Sequence, residues 1–486
     1  MSVCKGYQPE KVFQYFEEIC QIPHGSGNLD EISQYLVDFA KKRNLSYTQD
    51  ESKNVIMIKE ASKGYEKYET IMIQGHMDMV CEKNADSKHD FKKDPLDLCI
   101  IDDYLFAKGT TLGGDDGIAV AYALAILDDD TCMHPRLEVV ITTDEEIGML
   151  GATKLDLSNC KAKKMLNIDS EEEGILLTSC AGGLRGTCEV PVRYKEKTGE
   201  KYDLVVCGLK GGHSGTEIDK YRGNANIILG RLLHFIGTNL SYNIVTLQGG
   251  LQDNAIPREA NAEILVNNED IDDFEAIIRE FEKTIQNEYR ANEENISVYC
   301  ENRGKCKEKA LTDKTQERVI FLLNTIPDGV QQMSMETKGL VQTSLNIGIM
   351  RLHEKTFSLT CALRSSIKSQ KEALSDRLRY LTETIGGVYK EASSYPAWEY
   401  RADSSLRELM VRIYEEMFSE KPEIKGIHAG LECGIIYEKM KGIDIISFGP
   451  DILDIHTPRE RLSILSVERM YEYLLKILEN CKTIEK

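Results

Sequence analysis

The chain has 486 residues, room for about three domain-sized units, and its 41% hydrophobic and 29% charged residues exclude disorder along its length. Sixty basic against eighty acidic residues leave a formal charge of -20. That charge repels polyphosphate and anionic lipid, so nucleic acid and membrane surfaces are poor partners.

The first residues, Met1 to Glu10, hold no apolar stretch fit to be a signal peptide, and the longest mostly apolar run, 117–127, is too short to cross a bilayer. Fourteen cysteines are scattered from Cys4 to Cys481 without a CxxC pair. Together these features set the expectation of reduced thiols and a cytoplasmic location.

In chain order, residues 70–76 read as a buried strand, 117–127 as a well-buried helix, and 137–143 and 165–168 as two further buried strands. Strands separated by a helix imply parallel pairing and a layered α/β architecture. Cys180-Ala181-Gly182-Gly183 then offers a flexible break, after which scattered strands and amphipathic helices such as 273–287 mark a change of character. Near Tyr395-Pro396 a turn precedes a helix at 404–418, and 443–448 reads as another buried parallel strand. The expected fold is therefore a discontinuous α/β domain, residues 1–182 and 397–486, with a mixed, mostly parallel sheet flanked by helices. Residues 183–396 form an inserted α+β domain.

Functional side chains of an open parallel sheet gather beyond the carboxyl ends of its strands, and the acids and histidines of this chain fall there. The first strand ends in His76-Met77-Asp78, whose alternation puts both polar side chains on one side. The others are GGDDG at 113–117, TTDEEIG at 142–148, NIDSEEEG at 167–174 and DILDIHT at 451–457. Singly each has a bland reading, since GDDG turns cap helices and DEE runs are usually solvated faces. Five at successive strand ends are hard to ascribe to chance. Two histidines with at least three carboxylates suit two borderline cations, one carboxylate bridging them.

The run GHMDMV, LGGDDGIAVA, TTDEEIGMLGA, NIDSEEEG and DIHTP resembles the co-catalytic zinc peptidases that include carboxypeptidase G2, peptidase V and the carnosinases. IPHGSGN at 22–28, GGHSGTEIDKYRGNAN at 211–226, LQDNAIPREA at 251–260 and IHAGLECG at 427–434 are similar to the aminoacyl-histidine dipeptidases within them. The resemblance implies one metal held by His76 and Asp169 and another by Glu146 and His456, with Asp115 bridging. It also implies that Asp78 orients His76, that Glu145 is the general base, and that the inserted domain is a lid whose His213 stabilises the oxyanion. Asn254 and Arg364 are implied donors to the substrate carboxylate, with Gly430 and Glu432 lining the pocket. Zinc suits the imidazole ligands best, with manganese or cobalt as substitutes.

Asp116 departs from the family, where asparagine is expected; the extra anion either shifts metal preference or faces solvent, and the second is the expectation. Histidines 24, 89, 134, 234 and 353 are expected to be structural or exposed, Cys81 and Cys433 to be small packed hydrophobes, and Trp398 to pack at the domain junction. Glycines 182–183 and the turn near Pro396 are the expected hinges. The function implied is hydrolysis of small dipeptides of the Xaa-His type. The alternatives are removal of an acyl group from an amino acid and a noncatalytic binding protein of the same fold. Dipeptides are the expected partners, and because the family includes dimers a homodimer is a further expectation.

Overall fold

The computed structural model describes residues 2–483 and divides into two units. The first comprises Met1–Ser179, Tyr400–Gly426 and Leu431–Lys486, and the second comprises Cys180–Glu399 with Ile427–Gly430.

The first unit is built on an eight-stranded sheet. Its strand order is Ser46–Gln49, Val55–Lys59, Leu137–Thr142, Ile71–His76, Lys164–Asn167, Asp444–Ser447, Ile175–Cys180 and Glu423–Ile427. The four central strands pair in parallel, and the described pairings outside them are antiparallel. Every residue of those four strands is buried, which is why their sequences are mostly apolar on both faces instead of alternating. The strand Asp444–Ser447 comes from the C-terminal part of the chain and enters the sheet beside Lys164–Asn167, so the two ends of the sequence share one core.

The helix Gly114–Leu127 is buried along its whole length and therefore has no polar face. It packs against Glu10–Cys20, whose Val12, Phe13, Phe16 and Ile19 form a buried stripe at three- and four-residue spacing. A smaller antiparallel sheet joins Ile452–Leu453, Arg461–Ser463, Tyr104–Ala107 and Leu98–Ile101, fastening the C-terminal hairpin beside the loop that opens the buried helix.

The second unit is a nine-stranded sheet in which all described pairings are antiparallel. Helices Ala225–Asn239, Ile271–Tyr289, Asp313–Thr325 and Lys368–Thr384 supply its core side chains. The stretch Ile427–Gly430 groups with this unit because the Ala181 N–H donates to the carbonyls of Ile427 and Ala429.

Glycines 182 and 183 are not the flexible break expected of them. Both lie buried in the strand Gly182–Pro191, paired with Ser365 and Arg364. A Cβ on Gly182 would stand 2.7 Å from the Ala397 nitrogen, and one on Gly183 would stand 2.3 Å from the Tyr395 ring. Close packing, not freedom of rotation, selects glycine here. Trp398 is buried, its backbone bridging to Cys180. Among the described residues no helix is long and apolar enough to cross a membrane, and no cysteine is in a disulfide.

Candidate metal centre

Five segments of the first unit converge at the carboxyl ends of its central strands. His76 is the last residue of Ile71–His76, Glu145 and Glu146 follow Leu137–Thr142, Asp169 follows Lys164–Asn167, and Asp115 follows the Gly113-Gly114 turn. His456 sits in the loop between Ile452–Leu453 and Arg461–Ser463.

Asp115 is at the middle. Its Oδ1 lies 3.2 Å from His76 Nε2 and its Oδ2 lies 3.2 Å from His456 Nε2. On the His76 side, Asp169 Oδ1 stands 3.6 Å from the same Nε2. On the other side, Glu146 Oε1 stands 3.0 Å from His456 Nε2. Each imidazole thus presents one nitrogen to a shared carboxylate and to one carboxylate of its own. Ligand atoms of Asp115, Glu146 and His456 fall within 4.8 Å of one another, as do those of His76, Glu145 and Glu146, and those of His76, Asp116 and Asp169.

His76 Nδ1 is 3.0 Å from the backbone carbonyl oxygen of Asp78 and 3.5 Å from that residue's Oδ1. The Asp78 carboxylate makes its shorter bonds elsewhere, accepting from Ser26 Oγ at 2.8 Å and from the Glu145 N–H at 3.0 Å. It therefore ties the His76 strand to the Glu145–Glu146 loop. Asp144 opens that loop with φ of 52° and accepts from the Gly27 N–H.

Negative charge dominates the electrostatics. Burial, helped by Asp115 and Glu146 and opposed by His76, pushes the Asp169 carboxyl up to about 6. Burial, with Asp169, Glu432 and Glu146, holds Glu145 well above the usual carboxylate range. Glu171 is pushed up to about 8 by burial and by Asp115 and Asp169. The imidazoles respond in kind. Hydrogen bonds to Asp115 and Glu146 carry His456 up to about 11, and although burial disfavours the His76 cation, its aspartate neighbours outweigh that. Two imidazole nitrogens among crowded carboxylates form a borderline-to-hard donor set short of positive charge, which fits a pair of divalent cations.

Asp116 does not face solvent. It is 1% exposed, its Oδ2 accepts from the His76 N–H at 3.1 Å, and burial holds its carboxyl far above the ordinary aspartate range. Cys81 is exposed rather than packed, whereas Cys433 is buried.

The second unit gathers another set. His213 follows the turn Gly211-Gly212 in a two-residue strand paired with Ala255–Ile256. His213 Nδ1 stands 3.2 Å from both the Thr216 N–H nitrogen and the Thr216 Oγ1, and Arg364 Nη2 lies 3.4 Å from its Nε2. Burial, then the Arg364 cation, lowers the His213 pKa. Arg364 is 9% exposed, donates Nη1 to Tyr395 Oη at 2.9 Å, and its buried Nε has no partner among the described residues. A guanidinium with donor capacity to spare, beside an imidazole, forms an anion-binding arrangement. Asn254 keeps its side chain exposed and its carbonyl accepts from Ser214 N–H. Gly430 is half-buried at the end of Ile427–Gly430.

Tyr395, Ser344 and Glu460 lie outside the sequence-based expectations, and Glu432 departs from its own. Tyr395, Ser344 and His428 surround Arg364's end of the second cluster, with Ser344 Oγ 2.7 Å from His428 Nε2. Glu432 is fully buried in the first unit, not on a pocket wall. It accepts from Gln74 Nε2 at 2.6 Å and from the Thr142 hydroxyl beneath the strand ends, and burial pushes its carboxyl up to about 8. Glu460 receives four backbone N–H groups from residues 112–115. A charged residue one turn past a histidine carries no local mark of such a contact, because its partners are more than three hundred residues away in sequence.

Residues 72–480 match the model of peptidase family M20/M25/M40. The cytosol non-specific dipeptidase of Escherichia coli K12 is 36% identical over 481 residues, 99% of each chain. The crystal structure of aminoacylhistidine dipeptidase from Vibrio alginolyticus superposes with a TM-score of 0.93 at 34% identity, covering 100% of this chain and 99% of that one. Aminopeptidase PepT from Bacillus cereus shares the fold at 16% identity, with a TM-score of 0.56 over 98% of this chain and 99% of that one.

Proposed function

The chain belongs to peptidase family M20/M25/M40, and from that premise we propose a specific chemistry for a metal-dependent dipeptidase that hydrolyses the amide bond of small dipeptides, those ending in histidine among them. The observation that carries the reading is the Asp115 carboxylate, whose two oxygens face two different imidazoles at equal distance.

His76, Asp169 and Asp115 would hold one divalent ion, and His456, Glu146 and Asp115 the other. Zinc is the preferred pair, because imidazole suits it and the oxygen ligands tolerate it. When bound, such ions acidify the attacking water and polarise the scissile carbonyl. Glu145 lies beside the ligand Glu146 and is held by the Asp78 carboxylate through its own N–H. We assign it the proton transfer, from water to carboxylate and then to the departing amine. His213 is assigned to the developing oxyanion, a role that requires a ring proton on the nitrogen facing it, and Arg364 to the free carboxylate of the substrate, with Asn254 and Gly430 beside it. Dipeptides are named by the relatives themselves, one of them also as a cytosolic protein, and a cytoplasmic location is part of this proposal.

The test is a panel of dipeptides and N-acetyl amino acids given to the metal-loaded enzyme. Dipeptides with a free carboxylate, Xaa-His included, should turn over and N-acetyl amino acids should not. Preferential deacylation would overturn the substrate assignment.

A further inference from the structure

Glu460 is 3% exposed and lies four residues beyond His456. Its Oε2 accepts from the N–H groups of Leu112 and Gly113 at 2.8 and 3.2 Å, and its Oε1 from those of Gly114 and Asp115 at 2.8 and 3.4 Å. Four successive amides aimed at one carboxylate make an anion-binding nest. The nest requires the turn that its glycines supply, with Gly113 at φ of 70°. A Cβ on Gly114 would stand 3.3 Å from Glu460 Oε1.

At its other end Glu460 belongs to the loop that carries His456. The loop is tight, since Glu460 N–H donates to the Thr457 carbonyl and the Thr457 hydroxyl to that of Asp454. Asp454 and His456 both take positive φ, 52° and 58°, a conformation that surrounding contacts must hold for residues other than glycine. One carboxylate therefore clamps the segment presenting His456 onto the segment presenting Asp115, two side chains whose Nε2 and Oδ2 stand 3.2 Å apart.

We propose that Glu460 is a positioning residue of the metal centre, fixing the Asp115 carboxylate relative to His456 so that the two serve one ion. The proposal rests on the reading of Asp115 and His456 as ligands. The bland account is a buried cap on the first turn of the helix Gly114–Leu127, which would act on stability alone.

Metal-free parent, Glu460→Gln, Glu460→Ala and His456→Ala are titrated with zinc against a chromophoric chelator, and thermal midpoints of the metal-free proteins are recorded alongside. Glu460→Gln keeps the shape but turns an amide donor toward N–H donors. It should weaken one of the two stepwise affinities by about tenfold to a hundredfold, the scale for groups that orient ligands. The weakened step should be the one that His456→Ala abolishes, and excess zinc should restore the parental kcat. Parental affinities in both steps, or equal losses that track the thermal midpoint, would make Glu460 a helix cap and overturn the proposal. So would failure of both Glu460 variants to fold. A parent that takes up fewer than two ions would overturn the underlying ligand reading instead, and this inference with it.

Discussion

Asp116 has the chemistry of a ligand and the hydrogen bonding of a support. It shares a candidate cation group with His76 and Asp169, yet its Oδ2 already accepts from the His76 N–H, an acceptor role that an asparagine carbonyl performs equally well. Asp116→Asn should therefore keep both metals and a kcat within about threefold of the parent. Asp115→Asn should lose bound metal, because Asp115 is the carboxylate whose two oxygens face the two imidazoles at 3.2 Å each. Metal analysis and kinetics on the two variants check this, and metal loss in Asp116→Asn would make it a ligand. Glu145→Gln is nearly isosteric and cannot accept a proton, so metal content should hold while turnover falls by about a hundredfold or more. Parental turnover would remove Glu145 from the role of base. His213→Ala should depress kcat more than it raises KM, since an oxyanion contact strengthens in the transition state. Loss of affinity with kcat intact would make His213 a ground-state contact.

Single elements show how packing writes the sequence. Gly182→Ala places a methyl carbon within 2.8 Å of three backbone atoms of Tyr395, Pro396 and Ala397, where nothing can rotate away. Overpacking of this kind costs about 1–3 kcal/mol, and calorimetry should show a lowered thermal midpoint with zinc affinity unchanged. An unchanged midpoint would restore the expectation of a hinge. The central strands were legible because they are buried on both faces, so their apolar runs stand out and the acids that follow mark their ends. The metal-centre histidines and carboxylates could be singled out for the same reason. The strand Ser297–Leu311 was not legible. It is the edge strand of the second sheet, most of its residues are at least partly exposed, and Glu, Lys and Arg stand where a core face would alternate. Glu460 and Tyr395 were illegible, and Glu432 was misplaced on a pocket wall, for a different reason, because their roles come from contacts that only the folded chain brings together.

On the scale of the molecule, acid should act on the two units through different groups. In the second unit His428 is 5% exposed, and burial, with the Arg364 cation, lowers its pKa to about 3. Unfolded, it binds a proton below about 6.5, whereas folded it stays neutral until about 3. The stability this residue contributes is therefore complete above about 6.5 and declines as pH falls through that window, by up to about 1.4 kcal/mol per pH unit. His428→Asn should flatten the dependence of stability on pH between 6 and 4, and an unchanged slope would show that the proton is taken up elsewhere. In the first unit the carboxylates raised by burial and by one another, Glu145, Asp169 and Glu171, crowd the candidate metal centre, where bound cations would relieve their repulsion. The fold makes this arrangement by joining the two ends of the chain, since Asp115 and Asp169 come from one end and His456 from the other.

Metal stoichiometry tests that arrangement most directly. Protein stripped by chelator and dialysed should be inactive toward dipeptides, take up two zinc ions per chain in titration, and regain activity as the second ion binds. Full dipeptide hydrolysis by rigorously metal-free protein, or saturation at a single ion with full activity, would contradict the account.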